Sequence, residues 1–248
     1  MATSLPALFV PELFVPALFV PGLAGHSGEF AELARLWPAG PALCLDPPVD
    51  GDLSIPGQAH RIAERAAAAG FPRFVVVGHS QGGIVALHLA VTRPDLVAGA
   101  VVLDAPVLVP APLRAAMRLF AAALATRVGG PLLRAFFRAT FVAADDDRFR
   151  AEVMARLAAV PRHAAHRIVA ATFGFDGVAA LRTVRVPVTY VRANIPTRLD
   201  RLPAHVRGHD IGGVGHWVHV HRPDDVGAVL NELAASLAPS RKTAHGPG

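Results

Sequence analysis

The sequence predicts an α/β fold, in which a mostly parallel sheet is sandwiched by helices and an α-helical cap is inserted. Three observations lead to this prediction. Short apolar, β-branched runs alternate with helical patterns along most of the chain. One such run, Phe74–Val77, ends at a serine between glycines and is followed at once by a helical pattern. Between residues 107 and 181 the chain shows helical patterns and no strand pattern.

Alternating strands and helices predict parallel βαβ units, whose functional sites lie at the carboxyl ends of the strands. Strands are expected at Leu18–Val20, Ala42–Asp46, Phe74–Val77, Ala98–Asp104, Val186–Val191 and Val206–Ile211. Core helices are expected at Glu29–Leu36, Gln58–Ala69, Gly82–Arg93 and Pro223–Leu237. Cap helices are expected at Leu113–Ala125, Pro131–Phe141, Asp146–Ala159 and His163–Phe173.

The N-terminus contains a repeat that bears on where the domain starts. Leu-Phe-Val-Pro occurs at 8–11, 13–16 and 18–21, and proline at this spacing breaks helices and interrupts strand ladders. The third copy is predicted to hold the first core strand, and residues 1–17 are predicted to form an extended, proline-rich arm. The predicted core is then 18–106 and 182–238, the cap is 107–181, and 239–248 form a disordered tail.

Composition favours a globular domain and argues against several other classes of protein. The 248 residues are 52% hydrophobic, which is enough to bury a large core. The net charge of +5 comes from arginines scattered along the chain, whereas a nucleic-acid-binding protein would cluster them. No charge-free, proline-free apolar run could span a membrane. Cys44 is the only cysteine, so no intrachain disulfide can form and a cytoplasmic location is expected.

The segment Gly78-His79-Ser80-Gln81-Gly82 predicts a sharp turn between a strand and a helix. Such a turn strains the serine backbone and presses its neighbours together, so the positions two before and two after the serine require glycine. Ser80 is therefore predicted to stand exposed above the sheet as a nucleophile.

The chain resembles the α/β-hydrolase fold superfamily from about Leu18 to about Leu237. The resemblance rests on three blocks in the order that the family shows: Val20-Pro21-Gly22-Leu23-Ala24-Gly25, Gly78-His79-Ser80-Gln81-Gly82-Gly83 and Gly213-Val214-Gly215-His216-Trp217. It implies a catalytic triad in the order serine, acid, histidine. It also implies an oxyanion hole formed by the backbone N–H groups of Leu23 and Gln81.

Ser80 and His216 fit the first and last positions of that order. The acid is less clear, because most relatives hold it after the strand that ends here at Val191, where no carboxylate occurs before Asp200. Some relatives, such as haloalkane dehalogenases, hold it at the end of the preceding strand, which here ends at Asp104. Asp104 is the predicted acid and Asp200 is the alternative.

These residues predict a serine hydrolase that cleaves a carboxylic ester, lactone or thioester through an acyl-enzyme, without a cofactor. The expected partner is a small hydrophobic, ester-like substrate, and the oligomeric state stays open. Six cap phenylalanines are candidates for lining its pocket, although each also fits ordinary helix packing: Phe120, Phe136, Phe137, Phe141, Phe173 and Phe175.

Two alternatives remain open from the sequence. The first is a non-hydrolytic protein on the same fold, either a lyase or cyclase or a ligand-binding receptor, because fold does not fix function. The second is a metal site in the histidine-rich segment from His209 to His221. A metal requires ligands that converge in space, and one loop running into a helix seldom supplies them. No metal is therefore expected.

Overall fold

A computed structural model describes residues 14–238 of the chain. Within these residues, six strands form one parallel sheet in the order β2-β1-β3-β4-β5-β6. The strands are β1 Ala17–Val20, β2 Ala42–Cys44, β3 Phe74–His79, β4 Val97–Leu103, β5 Val188–Arg192 and β6 Val206–Asp210. The predicted fold class is confirmed. The predicted arm before residue 14 and the predicted tail after residue 238 lie outside the described residues.

Ten α-helices accompany the strands in the described part of the chain. They are α1 Ala31–Leu36, α2 Ile55–Ala68, α3 Gln81–Thr92, α4 Ala111–Leu124, α5 Gly129–Arg138, α6 Asp147–Ala159, α7 Arg162–Gly174, α8 Gly177–Thr183, α9 Val218–His221 and α10 Pro223–Leu237. Helices α8 and α9 are short and were not predicted from the sequence.

None of the helices in residues 14–238 is long and apolar enough to cross a lipid bilayer.

The sheet is buried on both faces: the strands β1, β3 and β4 are buried at every position and almost entirely apolar, as is typical of parallel sheets. Successive side chains of a strand point to opposite faces. Val76 packs with α2 and α3 on one face, while Val75 and Val77 pack with α1 and α10 on the other. Strand β6 at the sheet edge exposes three of its five residues, which fits its polar sequence.

The strand register places three strand ends side by side. His79 at the end of β3 pairs with Leu103 of β4, and Leu103 pairs with Val191 of β5. The residues that follow these strands, Ser80, Asp104 and the loop from 193, therefore meet at one edge of the sheet. This is the edge at which α/β folds bind their ligands.

Helices α4 to α7 lie between β4 and β5 in the chain and form a separate hydrophobic cluster. Leu133, Phe137, Val153 and Leu157 from these helices pack with Trp217 from the loop before α9. Helices of this cluster thus pack against the loop next to His216. The short helix α8 packs differently, because its buried residues belong to the cluster around α3.

Candidate active site

Ser80 lies between the last residue of β3 and the first residue of α3. Its backbone is left-handed, with φ +54° and ψ −121°, a conformation that side chains other than glycine rarely adopt. The Ser80 N–H donates to the Leu103 carbonyl at 2.8 Å, and the Ser80 carbonyl accepts from the Gly83 N–H at 3.0 Å. These bonds fix the strained turn that the sequence predicted.

The glycines on each side of Ser80 are required by close backbone contacts. A Cβ atom at Gly78 would lie 2.2 Å from the Gly82 carbonyl oxygen, and one at Gly82 would lie 2.3 Å from the Val20 carbonyl oxygen. Both distances are far below van der Waals contact, and the opposing atoms are backbone. The turn can therefore form only with glycine at these two positions.

His216 lies in the loop between β6 and α9, and its ring faces Asp104. The His216 Nδ1–H donates to Asp104 Oδ2 at 2.8 Å. Asp104 is fully buried, and the His216 side chain is 10% exposed. A carboxylate acceptor at Nδ1 holds the neutral ring in the tautomer whose Nε2 is free to accept a proton. The pair is therefore oriented to act as a general base.

The loop after β5 fixes Asp104 through its backbone. Asp104 Oδ1 accepts hydrogen bonds from the N–H groups of Ala193, Asn194 and Ile195 at 2.8, 3.1 and 3.0 Å. Oδ2 is thereby directed toward His216. Asp104 itself has φ +42°, a strained conformation that these three bonds and the bond to His216 hold in place.

Asp200, the alternative acid, lies elsewhere. Its side chain is 59% exposed and pairs with Arg198, whose Nε is 2.8 Å from Asp200 Oδ1. The structure places no contact between Asp200 and His216. Of the two candidate acids, Asp104 is the one that the structure brings to the imidazole.

Ser80 and His216 line the same cavity. No hydrogen bond joins the Ser80 hydroxyl to the His216 ring within residues 14–238. Catalytic hydrogen bonds are often long or poorly aligned in ligand-free enzymes and tighten when substrate binds. The geometry therefore shows an oriented carboxylate–imidazole pair beside a half-buried serine that faces the cavity.

Leu23 and Gln81, the two predicted oxyanion donors, also line this cavity. No turn, loop or cap hydrogen bond in the described part of the chain uses either backbone N–H. The Gln81 side chain is turned away to Gln58, with Nε2 donating to Gln58 Oε1 at 2.6 Å. Its backbone N–H at the start of α3 is thus free for a ligand, as the prediction requires.

The cavity has a volume of about 340 Å³ and lies between the strand ends and helices α4, α5 and α7. These helices line it with apolar side chains: Leu113, Met117, Phe136, Phe137, Ile168, Val169 and Phe173. Three of the six candidate phenylalanines are among these. Of the others, Phe120 packs on Phe136, Phe141 stacks on Trp217, and Phe175 contacts His88 edge-on.

Polar side chains in the cavity wall are largely engaged within the protein. Asn194 Nδ2 donates to the Thr140 carbonyl at 2.8 Å, and the Thr172 hydroxyl donates to the Ile168 carbonyl at 2.8 Å. The Thr197 hydroxyl is bonded to the Tyr190 hydroxyl at 2.9 Å. The wall therefore offers an apolar surface around the serine.

Behind His216 lie two further buried histidines that the sequence analysis did not assign to the site. His79 Nε2–H donates to the His216 carbonyl at 2.9 Å, and its ring lies 4.4 Å from that of His219. His219 stacks on Phe30 at 4.5 Å. Burial lowers the pKa of His79 well below 6.5, with the neighbouring imidazoles adding to the effect. Burial also lowers the pKa of His219, against the opposing influence of Glu29.

These two histidines predict that the protein loses stability in mild acid. Their pKa values are lowered in the folded state, so below about pH 6.5 the unfolded chain binds more protons. The free energy of unfolding is therefore expected to fall as the pH drops from about 7.5 to about 5, measured by urea denaturation. His219→Phe should flatten this dependence, whereas the exposed His60→Gln should leave it unchanged. A pH dependence that persists unchanged in His219→Phe would contradict the assignment.

The histidines between 209 and 221 do not converge on a common point. Each faces a different carboxylate: His209 with Glu232, His216 with Asp104, His219 with Glu29 and His221 with Asp145. Among residues 14–238, no group of three or more such side chains is arranged to hold a metal ion.

Comparisons with known proteins agree with this architecture. The model of the alpha/beta hydrolase family matches residues 17–229. A thermophilic esterase from Thermogutta terrifontis is 16% identical, with a TM-score of 0.75 over 92% of each chain. The enol-lactonase from Burkholderia xenovorans LB400 is 14% identical, with a TM-score of 0.75 over 90% of this chain and 92% of the other. The epoxide hydrolase CorEH is 19% identical, with a TM-score of 0.70 over 91% and 93%.

No curated protein matches the chain at the level of sequence. At identities below 25%, the solved structures show a shared fold and leave the reaction open. The three named above include an esterase, a lactonase and an epoxide hydrolase, so the reaction has to be argued from the site itself.

Proposed function

Because the chain belongs to the alpha/beta hydrolase family, we propose that it is a serine hydrolase acting on a small hydrophobic carboxylic ester, lactone or thioester. The observation that supports this most directly is the Asp104–His216 pair, joined at 2.8 Å, beside Ser80 in the wall of the cavity. An aspartate at the elbow would suggest epoxide hydrolysis, whereas a serine favours acyl transfer.

In the proposed mechanism, Ser80 Oγ attacks the acyl carbonyl carbon while His216 Nε2 accepts the hydroxyl proton. Asp104 stabilises the imidazolium through Nδ1–H. The N–H groups of Leu23 and Gln81 stabilise the oxyanion, and His216 then donates its proton to the leaving alcohol, thiol or lactone oxygen. Water, activated by His216, next attacks the acyl-enzyme and releases the acid and free Ser80.

The apolar wall supports a hydrophobic substrate. Leu113, Met117 and Phe173 contribute hydrocarbon surface, and the threonines and Asn194 of the wall are already hydrogen bonded within the protein. A charged substrate would lose its hydration without gaining partners. The esterase and the enol-lactonase that share the fold are consistent with carboxylic ester or lactone chemistry.

Two further parts of the proposal concern the cap and the location. Helices α4 to α7 are proposed to form the cap that encloses the substrate, since α4, α5 and α7 line the cavity and α6 packs with them in one hydrophobic cluster. A cytoplasmic location is proposed because the single Cys44 leaves no intrachain disulfide.

A series of p-nitrophenyl esters from acetate to palmitate tests the reaction. We expect kcat/KM to be highest for short or medium acyl chains and to decline toward palmitate, because the cavity of about 340 Å³ cannot enclose the longest chain. A fluorophosphonate should label Ser80, as identified by mass spectrometry, and heat-denatured protein should not react. Absence of both labelling and hydrolysis would refute the hydrolase and favour a lyase, cyclase or receptor on the same fold.

A further inference from the structure

One arginine of the cap contacts the loop that contains the proposed oxyanion donor. Arg156 on α6 donates from Nε to the Ala24 carbonyl at 2.9 Å and from Nη2 to Glu29 Oε1 at 2.6 Å. Ala24 and Glu29 lie 132 and 127 residues away in the chain. A single guanidinium thus bridges the cap to both ends of the segment that follows β1.

The first of these contacts restrains a strained turn. The Gly25 N–H donates to the Gly22 carbonyl at 3.1 Å, so residues 22–25 form a β-turn with Leu23 and Ala24 at its centre. Ala24 is buried and has φ +63°, a conformation that normally favours glycine. The direction of the Leu23 N–H depends on this turn. The hydrogen bond from Arg156 fixes the carbonyl of Ala24, the next residue of the turn.

The second contact explains a buried carboxylate. The Glu29 side chain is 2% exposed, and its Oε2 has no hydrogen-bond partner in the described residues, lying 3.6 Å from His219 Nε2. A buried carboxylate requires a counterion, and Arg156 is the cation paired with it here. Docking of α6 onto the core therefore pairs the Arg156 guanidinium with the buried Glu29 carboxylate.

We infer that Arg156 is a positioning residue that couples the docking of the cap to the geometry of the oxyanion loop. This inference rests on the proposed function for its kinetic consequence. With α6 docked, the planar guanidinium fixes the Ala24 carbonyl and Glu29 together, and Leu23 presents its N–H to the cavity. Lysine cannot replace Arg156, because a single ammonium on a flexible side chain does not reproduce the two N–H donors that the planar guanidinium holds in fixed directions.

The test compares Arg156→Lys and Arg156→Met with Arg148→Met, a matched control. Arg148 lies on the same helix, but its exposed side chain pairs with Glu152 at the surface. We expect kcat for the best p-nitrophenyl ester to fall about 10- to 100-fold in both Arg156 variants with KM changed less than about threefold, since a misplaced oxyanion donor affects the transition state. Added guanidinium ion should partly restore kcat in Arg156→Met and have no such effect in Arg148→Met.

Hydrogen exchange supplies a readout that does not depend on activity. Peptides covering residues 22–30 should exchange faster in both Arg156 variants and at the wild-type rate in Arg148→Met. Arg156→Lys keeps a positive charge beside Glu29 and serves as the test should Arg156→Met fail to fold.

The outcomes separate the two proposals. A wild-type protein that hydrolyses no ester would refute the proposed function, and the exchange result alone would then decide whether Arg156 anchors the loop. An active wild type with unchanged exchange in both Arg156 variants would overturn the inference. The inference would also be overturned if the Arg156 variants raised KM and left kcat unchanged, since that result would assign Arg156 to substrate binding.

Discussion

Replacing Ser80 with alanine is expected to reduce kcat for ester hydrolysis by on the order of 10⁶-fold and to abolish fluorophosphonate labelling. The reason is that no other hydroxyl stands at the elbow to form an acyl-enzyme. Alanine at this position retains the backbone N–H that donates to the Leu103 carbonyl, and it meets the same left-handed strain as serine. The fold should therefore survive, which circular dichroism and thermal unfolding would check.

A second serine provides the matched control. Ser54 caps α2, its hydroxyl accepting from the Gly57 N–H at 3.1 Å, and it lies outside the cavity. Ser54→Ala should lower the free energy of unfolding by about 1 kcal/mol and leave kcat unchanged. Activity retained in Ser80→Ala would remove the nucleophile from the proposed mechanism, whatever its stability.

The fold was predictable because its strongest determinants are local. The runs Phe74–Val77 and Val97–Leu103 consist of apolar residues and glycine, as is typical of buried parallel strands, and each is followed by a turn or a helix signal. The elbow was predictable because glycines at 78 and 82 have a steric explanation in the sequence itself. The short helices α8 and α9, of seven and four residues, were not predicted because so few residues leave little periodicity to detect.

Part of the candidate site was also predictable, because two of its residues lie directly after strands that the sequence predicts. Ser80 and Asp104 each follow a buried strand, so their proximity follows from parallel pairing of β3 and β4. His216 stands in a glycine-rich loop, a weaker signal that needed the family resemblance. The choice between Asp104 and Asp200 depended on side-chain directions, which only the three-dimensional arrangement supplies.

The contacts around Glu29 could not have been predicted from the sequence. Arg156 is one of many arginines in the chain, and its partner lies 127 residues away in another layer of the structure. The contact between His79 and His219 could not be predicted either. In the sequence, His79 is simply the residue before Ser80, and His219 is one of several histidines in a short segment. The one available signal was Glu29 itself, a carboxylate beside the buried Phe30.

The loop after β5 explains how the proposed acid, Asp104, can be held at the end of β4. Where most relatives place a carboxylate, this chain supplies three backbone N–H groups, and all of them point at Asp104 Oδ1. Burial raises the pKa of Tyr190, so its hydroxyl stays protonated and donates to the Ala105 carbonyl at 2.7 Å. The ends of β4 and β5 are thus tied together around the carboxylate.

Replacing Asp104 with asparagine is expected to lower kcat by roughly 10⁴-fold with little change in fold. The amide oxygen should occupy the Oδ1 position, because the N–H groups of residues 193–195 point there. The amide NH₂ then faces His216 Nδ1, where the wild-type carboxylate accepts a hydrogen bond. His216 must accept at Nδ1 and hold its proton on Nε2, so it can no longer take the proton of Ser80.

The imidazole nitrogens report this change directly. In ¹⁵N spectra of histidine-labelled protein, His216 should switch from the Nδ1–H to the Nε2–H tautomer in Asp104→Asn. Asp200→Asn is the matched control: its exposed carboxylate pairs with Arg198, so both kcat and the tautomer should match those of the wild type. The opposite pattern, with Asp200→Asn inactive and Asp104→Asn active, would transfer the role of the acid to Asp200 and require the loop after β5 to rearrange during catalysis.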